Sequence, residues 1–150
     1  MRRRLLPLLL VTLWHLQVPA GQASLQVSEA WISEAPPGIS VNAAYLVIEN
    51  TGKRPVALER VTSPDYERIE MHRSFLDQGQ ARMRLQASVT IAAGSTLRFV
   101  PGDYHLMLFR PGRPMRIGDS TSLTLEFSDA SQLTVSAEVR KLQPDHGHHH

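Results

Sequence analysis

The sequence has 150 residues, with 16 Lys or Arg, 14 Asp or Glu and a formal net charge of +2 at pH 7, a length that indicates one domain with appendages. It contains no cysteine, which excludes thiol nucleophiles, CxxC redox pairs, zinc–thiolate sites and a cysteine ligand for a blue-copper centre. The charge pattern shows no basic footprint for nucleic acid. An enzyme is not expected, because no arrangement of Ser, His and Asp stands out.

The first residues have the layout of a secretory signal peptide. A basic segment, Arg2–Arg4, precedes a short apolar run, Leu5–Trp14, and small-residue exits end at Ala20 and Ala23. The apolar run is shorter than the roughly 20 residues that span a bilayer. We therefore predict a cleaved leader over residues 1–23, secretion or export to the periplasm, and no stable membrane anchor.

Cleavage changes the charge of the mature chain. The leader holds three Arg and no acidic residue, so cleavage after Ala23 leaves 13 basic and 14 acidic residues, a net charge of −1 with His neutral. Cleavage after Ala20 is an alternative that the sequence also allows. Because no cysteine stands at either exit, a lipoprotein anchor is not expected.

The remainder reads as short strands separated by turns. Alternating apolar and polar residues, with turn signals such as "APPG", "NTGKRP" and "DQGQ", predict about eight or nine strands and no long helix. Short spacing favours an antiparallel sandwich or barrel within a domain of residues 24–142. The pattern of the first strand slips at Glu29, and the last two predicted strands form a terminal hairpin or two edge strands. The predicted strands cover residues 25–33, 41–50, 56–63, 67–74, 81–86, 122–128 and 132–140, and residues 95–109 give two further strands separated by a Pro-Gly turn.

Sulfur and imidazole side chains are few and are spaced in a recognisable way. Taken singly, a methionine in a strand is more often core filler, and a lone histidine is more often a core or surface residue than a ligand. Strand geometry makes a ligand role more favourable for these residues. Residues two apart in a strand share a face, so His105 and Met107 project to the same side. By the same logic Met83 points away from its flanking arginines, and His72 points away from Met71, with Glu70 on its own side. Three segments can therefore bring N, S, N and S donors to one point.

That donor set has a chemical meaning. Thioether sulfur is soft and neutral, and it favours Cu(I) over Zn(II), Ca(II) or Mg(II). Imidazoles add affinity without charge, and neutral ligands also let the ion leave again, which suits a carrier. We predict a Cu(I) site formed by His72, Met83, His105 and Met107, held near the surface.

The spacing H-x10-M-x21-H-x-M resembles the signature of the periplasmic Cu(I) chaperones of the PCuAC type. The stretches "AAYLVIENTG" (43–52), "IEMH" (69–72) and "VPGDYHLMLF" (100–109) are similar to family segments, with Asp103 where a glycine is common. We expect the protein to be a monomer, and the resemblance implies a cupredoxin-like Greek-key β-fold and one Cu(I). It also implies delivery of copper to the binuclear copper centre of cytochrome c oxidase, alongside Sco-type proteins.

Two other functions stay open at this point. One is a periplasmic copper buffer or resistance protein without a dedicated client, and a transfer assay separates it from a chaperone. The other is a metal-free β-sandwich interaction module, which the absence of stoichiometric Cu(I) binding would favour.

The remaining candidates are two methionines and the C-terminal tail. Met71 is expected in the core, and Met115, in a Pro/Gly loop, is expected on the surface rather than at the mouth of the site. The tail, residues 143–150, is a native His-rich metal-binding extension, a tag fragment or an unstructured end. As a hypothesis, the tail binds Cu(II) as a second, weaker site through His146, His148, His149 and His150.

Overall fold

The computed structural model describes residues 24–142, and this part of the chain consists of strands and connecting turns without a helix. The predicted leader and the predicted tail lie outside these residues. The ten strands are β1 (Leu25–Ser33), β2 (Val41–Asn50), β3 (Val56–Thr62), β4 (Tyr66–Asp77), β5 (Gln80–Gln86), β6 (Val89–Ile91), β7 (Ser95–Phe99), β8 (Tyr104–Pro111), β9 (Ser120–Phe127) and β10 (Gln132–Arg140).

The strands form one hydrogen-bonded path in the order β5-β4-β8-β2-β1-β10-β9-β3-β6, with β7 paired to the second half of β2. Neighbours pair in the antiparallel sense except β1 and β10, which are parallel. One core lies on the inner surface of this folded sheet and takes side chains from every strand except β5. At the end of the path, β5 is exposed over most of its length.

Alternation of buried and outward-facing residues along each strand determines which side chains lie on the inner face of the sheet. In β8, Leu106 and Leu108 are fully buried, and each lies opposite an apolar residue of β4 in the ladder, Met71 and Ile69 respectively. Burying such side chains stabilises the fold by about 25 cal/mol per Å² of apolar surface. The residues that alternate with them in β8, His105 and Met107, therefore point to the outer face.

Two details of the strands go beyond the sequence prediction. The slip expected at Glu29 is a β-bulge, because the β1–β2 register shifts between Ser28 and Trp31 and Glu29 has φ 54°. The three-residue strand β6 was not predicted. An antiparallel arrangement was predicted throughout, and the parallel β1–β10 pair corrects it.

The expected surface position of Met115 is wrong. Its side chain is 6% exposed and belongs to the core, because the Pro/Gly loop that carries it folds back against the sheet. Met71, 5% exposed, lies in the core as expected. Trp31 is half-buried and lies beside Tyr45, with ring centroids 4.6 Å apart and ring planes inclined by 38°.

Within residues 24–142 the structure has no helix that is both long and apolar enough to cross a membrane.

Candidate metal centre

The predicted donors lie on the outer face of three neighbouring strands, β5, β4 and β8. His72 of β4 is directly opposite His105 of β8 in the ladder, and on its other side it is opposite Leu85 of β5. Met107 is opposite Glu70 of β4. Because directly paired residues project to the same side of a sheet, all these side chains share one surface.

The two histidine rings face each other across the β4–β8 ladder. Their centroids are 5.9 Å apart and the ring planes are inclined by 29°. His105 is 6% exposed and His72 is half-buried. Thirty-two residues separate them in sequence, so pairing of the strands, not local chain geometry, brings the imidazoles together.

The orientation of His105 is fixed by the main chain. Its Nδ1 lies 2.9 Å from the carbonyl oxygen of Asp103, which also accepts the Ser74 amide at 3.1 Å. A carbonyl oxygen only accepts, so Nδ1–H is the donor and the neutral ring keeps a lone pair on Nε2. That Nε2 is 3.1 Å from the sulfur of Met83. An imidazole nitrogen with a lone pair and a thioether sulfur are therefore in direct contact.

In His72 the hydrogen and the lone pair are on the opposite ring nitrogens from those in His105. Its Nε2 lies 2.9 Å from Oε2 of Glu70, a carboxylate oxygen that accepts the hydrogen. The lone pair of the neutral ring is then on Nδ1. This nitrogen is buried and has no hydrogen-bond partner, so it is available to bind an ion.

Met83 reaches the site from the edge strand. It is opposite Ser74, which follows His72 by two residues in β4, so Met83 lies on the same face of the sheet as His72. Its side chain is 58% exposed. A two-residue turn at Gln78 and Gly79, with φ 50° and 79°, joins β4 to β5, and positive φ at both positions is typical of a type I′ hairpin. The edge position leaves the sulfur open to solvent.

Met107 completes the predicted set on the same face. It is two residues after His105 in β8, is half-buried, and is opposite Ala43 on the β2 side. Directly opposite and diagonal residues on one face lie within about 4.5–8 Å of each other. Met107 is therefore a neighbour of both histidines.

Carboxylates near the donors are paired with arginines. Arg68 contacts Glu70 at 3.1 Å and Arg73 contacts Asp103 at 2.9 Å. The hydrogen bond that Arg73 donates to the Asp103 carboxylate raises the pKa of Arg73. Within the described range, no group of three or more His, Cys, Asp or Glu is arranged as a metal site. The donors that converge are neutral nitrogen and sulfur, the set that suits a soft monovalent ion.

The geometry leaves room for one ion at the edges of the two rings, whose centroids are 5.9 Å apart. An imidazole binds a metal through a nitrogen lone pair in the ring plane, at about 2 Å. The ring nitrogens without a hydrogen are Nδ1 of His72 and Nε2 of His105, and the sulfur of Met83 is 3.1 Å from the second of them.

Comparison with known proteins assigns the chain to a family. Residues 25–139 match the family model described as "Putative lipoprotein LpqE-like". The chain belongs to the LpqE-like family. A relative called "Putative lipoprotein Lxx21020", from Leifsonia xyli subsp. xyli, is 34% identical over 126 residues, 83% of this chain and 75% of the relative. The uncharacterized protein RP573 of Rickettsia prowazekii is 29% identical over 107 residues, 71% of this chain and 59% of that protein.

Solved structures share the fold of this LpqE-like chain. The solution structure of CuI-DR1885 from Deinococcus radiodurans has a TM-score of 0.64 and 30% identity, and it covers 81% of this chain and 83% of that one. The copper-bound PCuAC domain from PmoF2 has a TM-score of 0.67 and 20% identity, with 79% and 94% covered. The predicted all-β, cupredoxin-like fold class is confirmed, with ten strands instead of eight or nine.

Sequence reasoning missed the residues that orient the imidazoles. Glu70 and Asp103 each lie two positions before a histidine, on the same face of the strand. The rule that paired His105 with Met107 had placed Glu70 on the side of His72 without giving it a role, and it would also have indicated Asp103. Arg68, which holds Glu70, follows from the same spacing.

Proposed function

We propose that this LpqE-like protein is a Cu(I) carrier that holds copper at His72, Met83, His105 and Met107 and releases it by ligand exchange. The observation that carries the proposal is the 3.1 Å approach of His105 Nε2 to the sulfur of Met83, beside the ring of His72. Support also comes from the fold shared with CuI-DR1885 and the copper-bound PmoF2 domain.

A carrier must let its ion leave. Met83 is 58% exposed on an edge strand, so an acceptor's donor atom can approach copper from that side while the histidines still hold it. All four donors are neutral in the binding form, so no anionic ligand retains the ion. In this proposal copper is cargo, and the protein performs no chemical conversion.

The proposed acceptor is the copper domain of cytochrome c oxidase or a Sco-type protein. Both are outside the cytoplasm, and the lipoprotein names of the family and of the Leifsonia relative support an extracytoplasmic location for this chain. Family membership does not by itself assign a lipid anchor, because the 150 residues include no cysteine. Export as a monomer after loss of residues 1–23 is part of the same proposal.

A Cu(I) titration against a chromophoric chelator tests the site. The native protein is expected to take up one Cu(I) at this site, and M83A to bind it more than about tenfold more weakly, because a soft donor is lost. L85A is the matched control, since Leu85 is on the same strand and face and is 59% exposed. Equal affinity of M83A and the native protein would contradict the proposal.

A transfer assay separates the carrier from a copper buffer. The copper-loaded protein is mixed with the isolated oxidase copper domain, and the copper content of each is measured after separation. Transfer on mixing is expected. Retention of copper by this chain at acceptor excess would favour the buffer, and failure to bind Cu(I) at all would favour the metal-free interaction module.

The His-rich tail, outside the described residues, is proposed as a second site for Cu(II) through His146, His148, His149 and His150. Imidazole tracts bind divalent ions. A chain ending at Gln143 is expected to bind less Cu(II) per molecule than the full chain while its Cu(I) affinity is unchanged. The same Cu(II) stoichiometry in both chains would refute the second site.

A further inference from the structure

His72 carries a buried nitrogen that the protein leaves unpaired. Across residues 24–142, its Nδ1 is the one buried side-chain nitrogen or oxygen without a hydrogen-bond partner. Buried polar atoms are almost always paired, so an exception needs an explanation. A lone pair that is meant for a ligand from outside the chain provides one.

The cause of this arrangement is Glu70. Its Oε2 accepts the hydrogen on His72 Nε2 at 2.9 Å, while its Oε1 is held by Arg68 at 3.1 Å. The guanidinium of Arg68 lies 4.4 Å from the centroid of the Phe109 ring, its ladder partner in β8. These contacts place a hydrogen-bond acceptor against Nε2, which favours the tautomer with the hydrogen on that nitrogen.

The geometry points to Glu70 as a positioning residue that locks His72 in the tautomer with Nε2 protonated, so that His72 offers Nδ1 to copper while His105 offers Nε2. The inference rests on the proposed Cu(I) function. For His105 the same selection is made by the carbonyl of Asp103, which accepts Nδ1–H at 2.9 Å. Outer partners of this kind fix the tautomer and the ring orientation of metal-binding histidines.

The test measures the tautomer and the affinity separately. In the ¹⁵N-labelled full chain, long-range proton–nitrogen correlations of the metal-free protein should show His72 with hydrogen on Nε2 and none on Nδ1. Adding Ag(I), a soft monovalent surrogate for Cu(I), should shift Nδ1 of His72 and Nε2 of His105. The His72 signals are assigned by their loss in H72N.

Variants of Glu70 give the second readout. E70A should lose the tautomer preference and bind Cu(I) about 10- to 100-fold more weakly. E70Q, whose side-chain carbonyl still accepts a hydrogen from Nε2, should keep the tautomer and most of the affinity. E67A is the matched control, because Glu67 is a carboxylate of the same strand that pairs with Arg110 on the surface.

Two spectroscopic results would overturn the assignment: hydrogen on Nδ1 of His72 in the metal-free protein, or a metal-induced shift at Nε2 of His72. The E70A variant would overturn it if it bound Cu(I) as tightly as the native protein. It would also do so if it bound Cu(I) weakly while the tautomer of His72 was unchanged. If E70A fails to fold, E70Q and the tautomer of the native protein still decide. A native protein that binds no Cu(I) would refute the proposed function alone, because the tautomer is measured without metal.

Discussion

The methionines show how one type of side chain serves two purposes in this protein. Met71 and Met115 are almost fully buried in the core, whereas Met83 is 58% exposed beside an imidazole. Met is flexible and polarizable, so it fits both an irregular core and a soft-metal site. Burial, not residue type, therefore separates packing from a proposed ligand role at each position.

The first prediction compares two of these methionines. M115A should lower the free energy of unfolding by about 2–5 kcal/mol, because it leaves a cavity in the core. M83A should change it by less than about 0.5 kcal/mol, because its side chain is largely exposed. Urea denaturation without metal measures both values. Similar losses for the two variants would show that Met83 is also a packing residue.

Local patterns predicted residues well where the pattern and the packing agree. The spacing of His105 and Met107 placed both on one face, and the structure has them there. The loop position of Met115 was misleading, because Pro and Gly indicate a turn but do not show whether the loop folds back onto the sheet. The same spacing rule placed Glu70 on the side of His72, but spacing alone does not show that the carboxylate contacts the ring.

At the level of elements, alternation of apolar and polar residues predicts where the strands lie but not which strands pair with each other. Three predicted strands, including β2, have the observed bounds. Strand β6 has three residues, too few for a periodic pattern to be visible. The parallel β1–β10 pair joins the two ends of the domain, and pairing between segments a hundred residues apart depends on the whole core, which no local pattern contains.

The β4–β5 hairpin is the element on which Met83 depends. Its turn requires positive φ at Gly79, a conformation in which a Cβ costs about 1–2 kcal/mol. G79A should therefore destabilise the protein by about 1 kcal/mol and speed hydrogen exchange in β5. The matched control is G112A, at a glycine with an ordinary φ and open space around it. Equal stability of the two variants would contradict the turn assignment.

At the scale of the whole molecule, a buried polar chain ties three strands together. The Tyr66 hydroxyl donates to Oδ1 of Asn42 at 3.1 Å, and Nδ2 of Asn42 donates to the carbonyl oxygen of Ser33 at 2.8 Å. The three residues belong to β4, β2 and β1 and are all buried. Because β4 also carries His72, this chain connects the strand of the site to the centre of the sheet.

Burial, with a contribution from Asp65, raises the pKa of Tyr66 to about 12. The unfolded chain loses this proton near pH 10, so between pH 10 and about 12 the folded state binds more protons and stability falls as pH rises. Y66F should show a shallower fall of Tm over this range. It should also be less stable at neutral pH, by about 1–3 kcal/mol, because Asn42 loses a partner. Parallel Tm profiles for the two proteins would refute this account.

The exposure of Met83 also decides how the site responds to peroxide. A solvent-accessible thioether is oxidised to the sulfoxide, which is polar and no longer a soft donor, whereas buried methionines are shielded. Met83 should therefore be oxidised before the buried Met71 and Met115 when the metal-free protein is exposed to peroxide. The exposure that lets the ion leave thus makes the metal-free protein sensitive to oxidants at the very residue that is proposed to release copper.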